Sequence, residues 1–160
     1  MSARPRVLGA AISGCGMLLA VLPALPWYSA TLTTGSTSLS GYGAGGASWI
    51  LPVIGVALIV TGVLAAWWSP PTGTRTARVL GGCAILWAVL GVGWTALVAL
   101  TPRVEVVAER AGLPDSPIAG DWDVTVLPPA WACLAAAAMA GMAGILLMTA
   151  PSGGGESDAP

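Results

Sequence analysis

Four runs of about twenty residues, 7–25, 49–68, 79–100 and 131–150, contain no acidic, basic or histidine side chain. A helix needs about 20 residues, at about 1.5 Å each, to cross a hydrocarbon core of about 30 Å. Each run is apolar around its whole circumference rather than along one stripe, the pattern of a helix surrounded by lipid and by other helices. Composition agrees. The 160 residues are 56% hydrophobic and 8% charged, against about 45–50% and about 25% in soluble domains, while disordered chains are poor in apolar residues and rich in charge. The expected fold is an all-α integral membrane protein. It is one four-transmembrane-helix bundle over residues 1–150, with outer loops 26–48 and 101–130, an inner loop 69–78 and a disordered cytoplasmic tail 151–160.

Orientation follows from the arginines, because positive charge near span ends is retained in the cytoplasm and acidic residues count for little. Arg4 and Arg6 precede the first span, and Arg75 and Arg78 lie in the inner loop. Loop 26–48 has no charge, and loop 101–130 has only Arg103 and Arg110, diluted by Glu105, Glu109, Asp115, Asp121 and Asp123. Four arginines against two predict a plasma-membrane protein with both termini cytoplasmic. The scattered arginines and a net charge of −1 leave no cationic face for a phosphate backbone, which argues against nucleic acid as a partner.

Trp and Tyr favour the headgroup level, where a ring and a polar N–H or O–H are both accommodated. Trp27, Tyr28, Tyr42, Trp49, Trp122 and Trp131 sit at or near the expected outer boundaries, and Trp67 and Trp68 mark an inner one. Trp87 and Trp94 fall inside the third span, where filling gaps between helices is the simplest role.

The first span follows Arg4 and Arg6 as a signal peptide would, but it exceeds the usual 7–15 apolar residues of such a signal and no small-x-small cleavage site follows. A retained helix is expected. Ile12-Ser13-Gly14-Cys15 resembles a lipobox, whose cysteine is acylated. Against that reading, 5 residues separate Arg6 from the tetrapeptide and the apolar run continues past Cys15.

Within the outer loops, 29–34 and 37–40 are β-prone pieces separated by Gly35, and 123–127 alternates with the period of a strand. They predict a small extracytoplasmic β-sheet. Residues 104–111 could prolong the third helix or form a short one ended by Gly112, with Pro114 beyond. Small-xxx-small spacings, Gly62 with Ala66, Ala137 with Gly141 and Ala140 with Gly144, suit close helix contacts in lipid. Packing within one bundle is the simpler reading of them than a dimer face.

The chain has no histidine, which removes the usual base of a serine triad and the commonest metal ligand. Cys15, Cys83 and Cys133 lie on different spans, with no Cys-x-x-Cys pair. Cys133 near one membrane face and the others toward the opposite one are too far apart for a disulfide, which needs Cα atoms within about 7 Å. The expected role of all three is that of small buried apolar residues. No span holds a charged group, so the deepest polar groups are hydroxyls such as Ser13, Thr61 and Thr95, which disfavours a proton- or ion-coupled carrier. Glu105 and Glu109 would share a helix face, and Asp121 and Asp123 a strand face. Calcium is conceivable there, but no Asp-x-Asp-x-Asp-Gly loop is present. Solvated surface charge is the simpler reading.

Several features converge on one pattern: Trp27 after the first span, a Ser/Thr-rich strand ending in Leu39-Ser40-Gly41, an Ala/Gly/Leu-rich second span and an arginine-bearing turn into the third. Val124-Thr125-Val126 then precedes Pro and Trp at the opening of the fourth. Together they resemble the tryptophan-associated transmembrane proteins, small four-span actinobacterial membrane proteins. The chain departs from that pattern in lacking a basic tail after the fourth span and in its acidic second outer loop. The resemblance implies an uncharacterised membrane protein, with no catalytic, cofactor-binding or metal-binding residues to carry over. The expectation is a non-enzymatic accessory or scaffold component of an envelope complex, whose partners are the lipid bilayer and other membrane proteins or a second copy of itself. The alternatives are a small structural subunit of a transporter or channel and, third, an enzyme built on the outer-loop carboxylates.

Overall fold

The computed structural model describes residues 4–32, 35–42, 49–68, 70, 74–100 and 123–149. Four long helices carry the chain: α1 (Arg4–Val21), α2 (Ile50–Trp68), α3 (Arg75–Leu100) and α4 (Pro128–Thr149). Each is long and apolar enough to cross a membrane. A 3-10 turn (Leu22–Ala24) extends α1. Three strands, β1 (Pro26–Leu32), β2 (Gly35–Ser40) and β3 (Asp123–Val126), form an antiparallel sheet in the order β2-β1-β3 at one end of the bundle.

Local chemistry explains where the helices begin. Thr74 accepts a hydrogen bond on Oγ1 from the Ala77 N–H at 3.3 Å, capping α3, so the helix starts at Arg75 rather than near residue 79. Both arginines expected in the inner loop therefore belong to the first turn of α3. Similarly α4 begins at Pro128 instead of near Trp131, because proline in a first turn sacrifices no helical bond.

The helices pair through glycine. A Cβ on Gly16 would stand 2.6 Å from the Gly55 carbonyl oxygen, and one on Gly55 2.6 Å from that of Gly16. About two turns away, a Cβ on Gly9 would lie 2.6 Å from the Gly62 oxygen and 2.6 Å from Ala66 N. Backbones of α1 and α2 thus touch at two levels, and Ser13 Oγ donates across the same seam to the Ile59 carbonyl at 3.3 Å. In the α3–α4 pair, Gly81 and Gly144 meet likewise, Gly141 faces Ala88 and Gly91 faces Ala137. Close backbone approach of this kind is how helices gain contact where lipid tails are as apolar as the side chains. The small-residue spacings of α2 and α4 serve contacts within the bundle.

One hydrophobic cluster runs from the sheet end through the centre and includes Ile12, Leu19, Trp27, Tyr28, Ile54, Leu58, Cys133 and Ala137. A second, at the far end, joins Ala65, Ala77, Leu80 and Leu147, with Leu8 and Leu64 against it. The sheet is part of the first cluster rather than an appendage. Trp27 is 0% exposed and Tyr28 1%, which corrects the expectation of headgroup-level rings at these two positions. The β1–β2 register shifts between Pro26 and Tyr28. A bulge there re-aims the strand and lets two consecutive side chains bury.

Candidate functional site

The described polar side chains bond mainly to the backbone of their own chain. Trp27 Nε1 donates to the Leu22 carbonyl at 3.0 Å, Tyr42 Oη to that of Ala20 at 3.0 Å, and Tyr28 Oη to that of Val98 at the end of α3. Within helices, Thr61 and Thr149 donate to the carbonyls of Ala57 and Ile145, four residues back, at 2.7 and 2.9 Å. These bonds fasten the sheet to the helix ends and satisfy hydroxyls that lipid could not. The sheet is further held by Leu127 N–H on the Trp27 carbonyl at 2.7 Å and Tyr42 N–H on that of Pro23 at 3.1 Å. Gly41 lies flat on the Trp27 indole, where a Cβ would come within 2.7 Å of Cε2.

Burial of Tyr28 pushes its phenol up to about 12. Tyr42→Phe would leave Tyr28 as the single tyrosine of the chain, and its phenolate absorbance should then appear with a midpoint near pH 12. The protonated form is the one the fold favours, so the stability Tyr28 contributes is complete below about pH 10, its ordinary value, and is lost as pH rises through about 12. A midpoint near pH 10 would mean that the ring is not packed beneath the sheet.

Where α2 and α3 part toward the sheet end, they leave a groove of about 410 Å³. Ile50, Val53 and Ile54, at i, i+3 and i+4, form its α2 wall, and Trp87, Leu90, Trp94 and Leu97 form its α3 wall, with Trp49 at its mouth. Trp87 and Trp94, expected to fill gaps between helices, pack partly against the core and line this gap instead. Gly93 adds room, for a Cβ there would meet nothing within 4 Å. No family model, curated protein or solved structure matches this chain. The capacity of the groove is set by its own lining, which is apolar and aromatic and suits hydrocarbon or another helix rather than a polar substrate.

Two buried polar atoms are exceptions among the described residues: Trp94 Nε1 and Thr95 Oγ1 have no hydrogen-bond partner. Adjacent on α3, they face different surroundings: Trp94 lines the groove, and Thr95 a small pocket of about 40 Å³ bounded also by Ala99, Ala130 and Trp131. The groove is not legible in the sequence, where the recurrence of Trp87, Leu90, Trp94 and Leu97 at helical spacing is its one trace.

The cysteines divide. Cys15 and Cys133 are buried, as small apolar residues would be, whereas Cys83 is exposed on the outer surface of α3; all three are free. The expectation of burial is therefore corrected for Cys83, which stands one turn before Trp87 on the stripe of α3 that continues into the groove, where α2 and α3 are not closely packed. The carboxylates Glu105, Glu109, Asp115 and Asp121 lie outside the described residues, as do Arg103, Arg110, Trp122, the proposed helix at 104–111 and the tail 151–160. Asp123 opens β3 opposite Thr31.

Proposed function

We propose that the protein works through contacts in the plane of a membrane, as a non-enzymatic accessory or scaffold component of an envelope complex. The observation that carries this reading is the use of polar side chains as internal staples. Those of Ser13, Trp27, Tyr28, Tyr42 and Thr61 all bond to carbonyls of the same chain. Along the described spans, what remains for another molecule is largely apolar surface, including the tryptophan-lined groove. The same reading takes the arginine-bearing helix ends as cytoplasmic and the sheet as extracytoplasmic, on the unequal sharing of arginines between the two sides, and keeps the kinship with the tryptophan-associated transmembrane proteins as a proposal.

The test is purification in mild detergent after crosslinking in the native membrane. A stoichiometric membrane partner is expected. A partner bearing its own translocation or ATPase machinery would make the chain a transporter subunit instead, and recovery as an isolated monomer would count against both. In a variant with Cys15, Cys83 and Cys133 replaced, a cysteine at Ser38 should react with an impermeant thiol reagent on intact cells and one at Ser152 should not. The reverse pattern would invert the orientation.

A further inference from the structure

The two walls of the tryptophan-lined groove belong to different glycine-locked helix pairs. A Cβ on Gly55 of α2 would stand 2.6 Å from the Gly16 carbonyl oxygen of α1, and one on Gly81 of α3 2.6 Å from that of Gly144 in α4. Closing α2 onto α3 would pull at least one of these backbone contacts apart. The floor is already packed, since a Cβ on Gly91 would lie 3.3 Å from Ala137 Cβ and 3.6 Å from Ile54 Cγ2. The gap above it is therefore a fixed feature of the bundle. Both walls are helices long and apolar enough to cross a membrane. An empty gap between them forfeits the dispersion contacts of the side chains around it, and water finds too few polar partners on an apolar lining. An apolar occupant is the stable filling.

Size and opening decide between the apolar candidates. From Trp87 to Leu97 the α3 wall rises about 15 Å at about 1.5 Å per residue. A volume of about 410 Å³ over that length leaves a section of about 27 Å², or about 6 Å across. An α-helix with its side chains is about 10–12 Å in diameter, too wide to enter. A helix laid over the groove would rest on Val53, Val89, Leu90 and Leu97, which are exposed and too bulky for the close backbone approach that pairs helices in lipid. A single hydrocarbon chain fits the section. The same exposed residues join the groove sideways to the apolar outer surface of α2 and α3, which opens it laterally to the bilayer. At its sheet end stands Trp49, an exposed ring suited to the headgroup layer.

We propose that the groove holds one acyl chain of a phospholipid from the leaflet on the sheet side, with the glycerol beside Trp49 and the chain end near Trp87. The lining carries no charged side chain, so the site selects the hydrocarbon chain and is indifferent to the headgroup. A lipid in this groove stands apart from the question of a protein partner, and either can hold without the other.

The purified full chain would be reconstituted in phosphatidylcholine vesicles containing a trace of phosphatidylcholine with a diazirine on one acyl chain, and the photolabelled residues mapped by mass spectrometry. A pocket covers about 70–90% of its ligand's surface, whereas a passing chain touches a helix face on one side. Labelling of Val53, Leu90 and Leu97 should therefore exceed that of Leu18 and Val21, exposed on α1 in the same half of the bundle, by about threefold or more. A Cβ on Gly93 meets nothing within 4 Å, so Gly93→Leu should fold, fill the groove and bring its labelling down to the level of α1. Gly82→Leu, equally free of near neighbours but outside the groove, should leave the excess intact. Photoactivatable phosphatidylglycerol should give the same excess. Groove labelling no higher than that of α1, an excess that survives Gly93→Leu, or one confined to a single headgroup would overturn the proposal. Crosslinking to another membrane protein from a photoreactive amino acid in place of Leu90, in the native membrane, would overturn it in favour of a protein occupant.

Discussion

Leucine in place of Gly62 should drive α1 from α2 and destabilise the bundle by about 3 kcal/mol, the upper part of the usual range for overpacking. The reason is the identity of the neighbour. A Cβ at this position meets the Gly9 carbonyl oxygen at 2.5 Å and Ser13 N at 2.6 Å, and backbone cannot swing aside as a flexible side chain can. The Ser13 bond to Ile59 would be lost with the seam. Gly14→Leu is the matched control, because a Cβ on Gly14 meets nothing within 4 Å; it should fall within about 0.5 kcal/mol of the parent. Reversible unfolding in mixed micelles, followed by circular dichroism, reads both. Equal stability of the two variants would show that the helices do not approach so closely.

Trp27→Ala should cost about 3–5 kcal/mol, the range for deleting a large buried ring. Its indole is wholly buried, supports Gly41 on one face and bonds through Nε1 to the Leu22 carbonyl. Loss of the ring removes the floor of the sheet, so protection of the Leu127 and Tyr42 amides, which bond to Trp27 and Pro23 carbonyls, should fall in hydrogen exchange. Trp27→Phe should recover most of the stability and lack about 1 kcal/mol for the missing hydrogen bond. Alanine without measurable loss would mean that the ring lies in the lipid interface, where its place in the sequence would put it.

The case of Trp27 illustrates how far the sequence can be read. A tryptophan just after an apolar run has the pattern of an interfacial anchor, and nothing local distinguishes an anchor from a core residue. The distinction depends on a bulge in β1 and on Gly41 arriving from β2, both products of strand pairing. The strands are legible as alternating and β-branched stretches flanked by glycine, although Gly35, which the sequence places between two of them, belongs to β2 itself. The groove was illegible because it is an absence of packing between two helices, and the stripe that lines it resembles the apolar pattern of any span. The close seams were legible only in part. Gly62 with Ala66 and the Ala/Gly pairs of α4 had the spacing, but Gly9, Gly16 and Gly55 of the α1–α2 seam became meaningful only once the two helices lay together.

Charge and apolarity by themselves determined that four helices would be long and uncharged enough to cross a membrane, and that charges would gather at their ends. Those properties follow from the cost of placing an ion in hydrocarbon and from the length of a helix, which are local and additive along the chain. Tertiary structure alone decided which glycines touch, that Trp27 and Tyr28 form part of the core, and that α2 and α3 part to leave a groove. In a sequence where nearly every helix face is apolar, hydrophobicity cannot select a partner face. Shape does so, through backbone contact at particular glycines and through hydrogen bonds to particular carbonyls, and shape exists only after the helices have met.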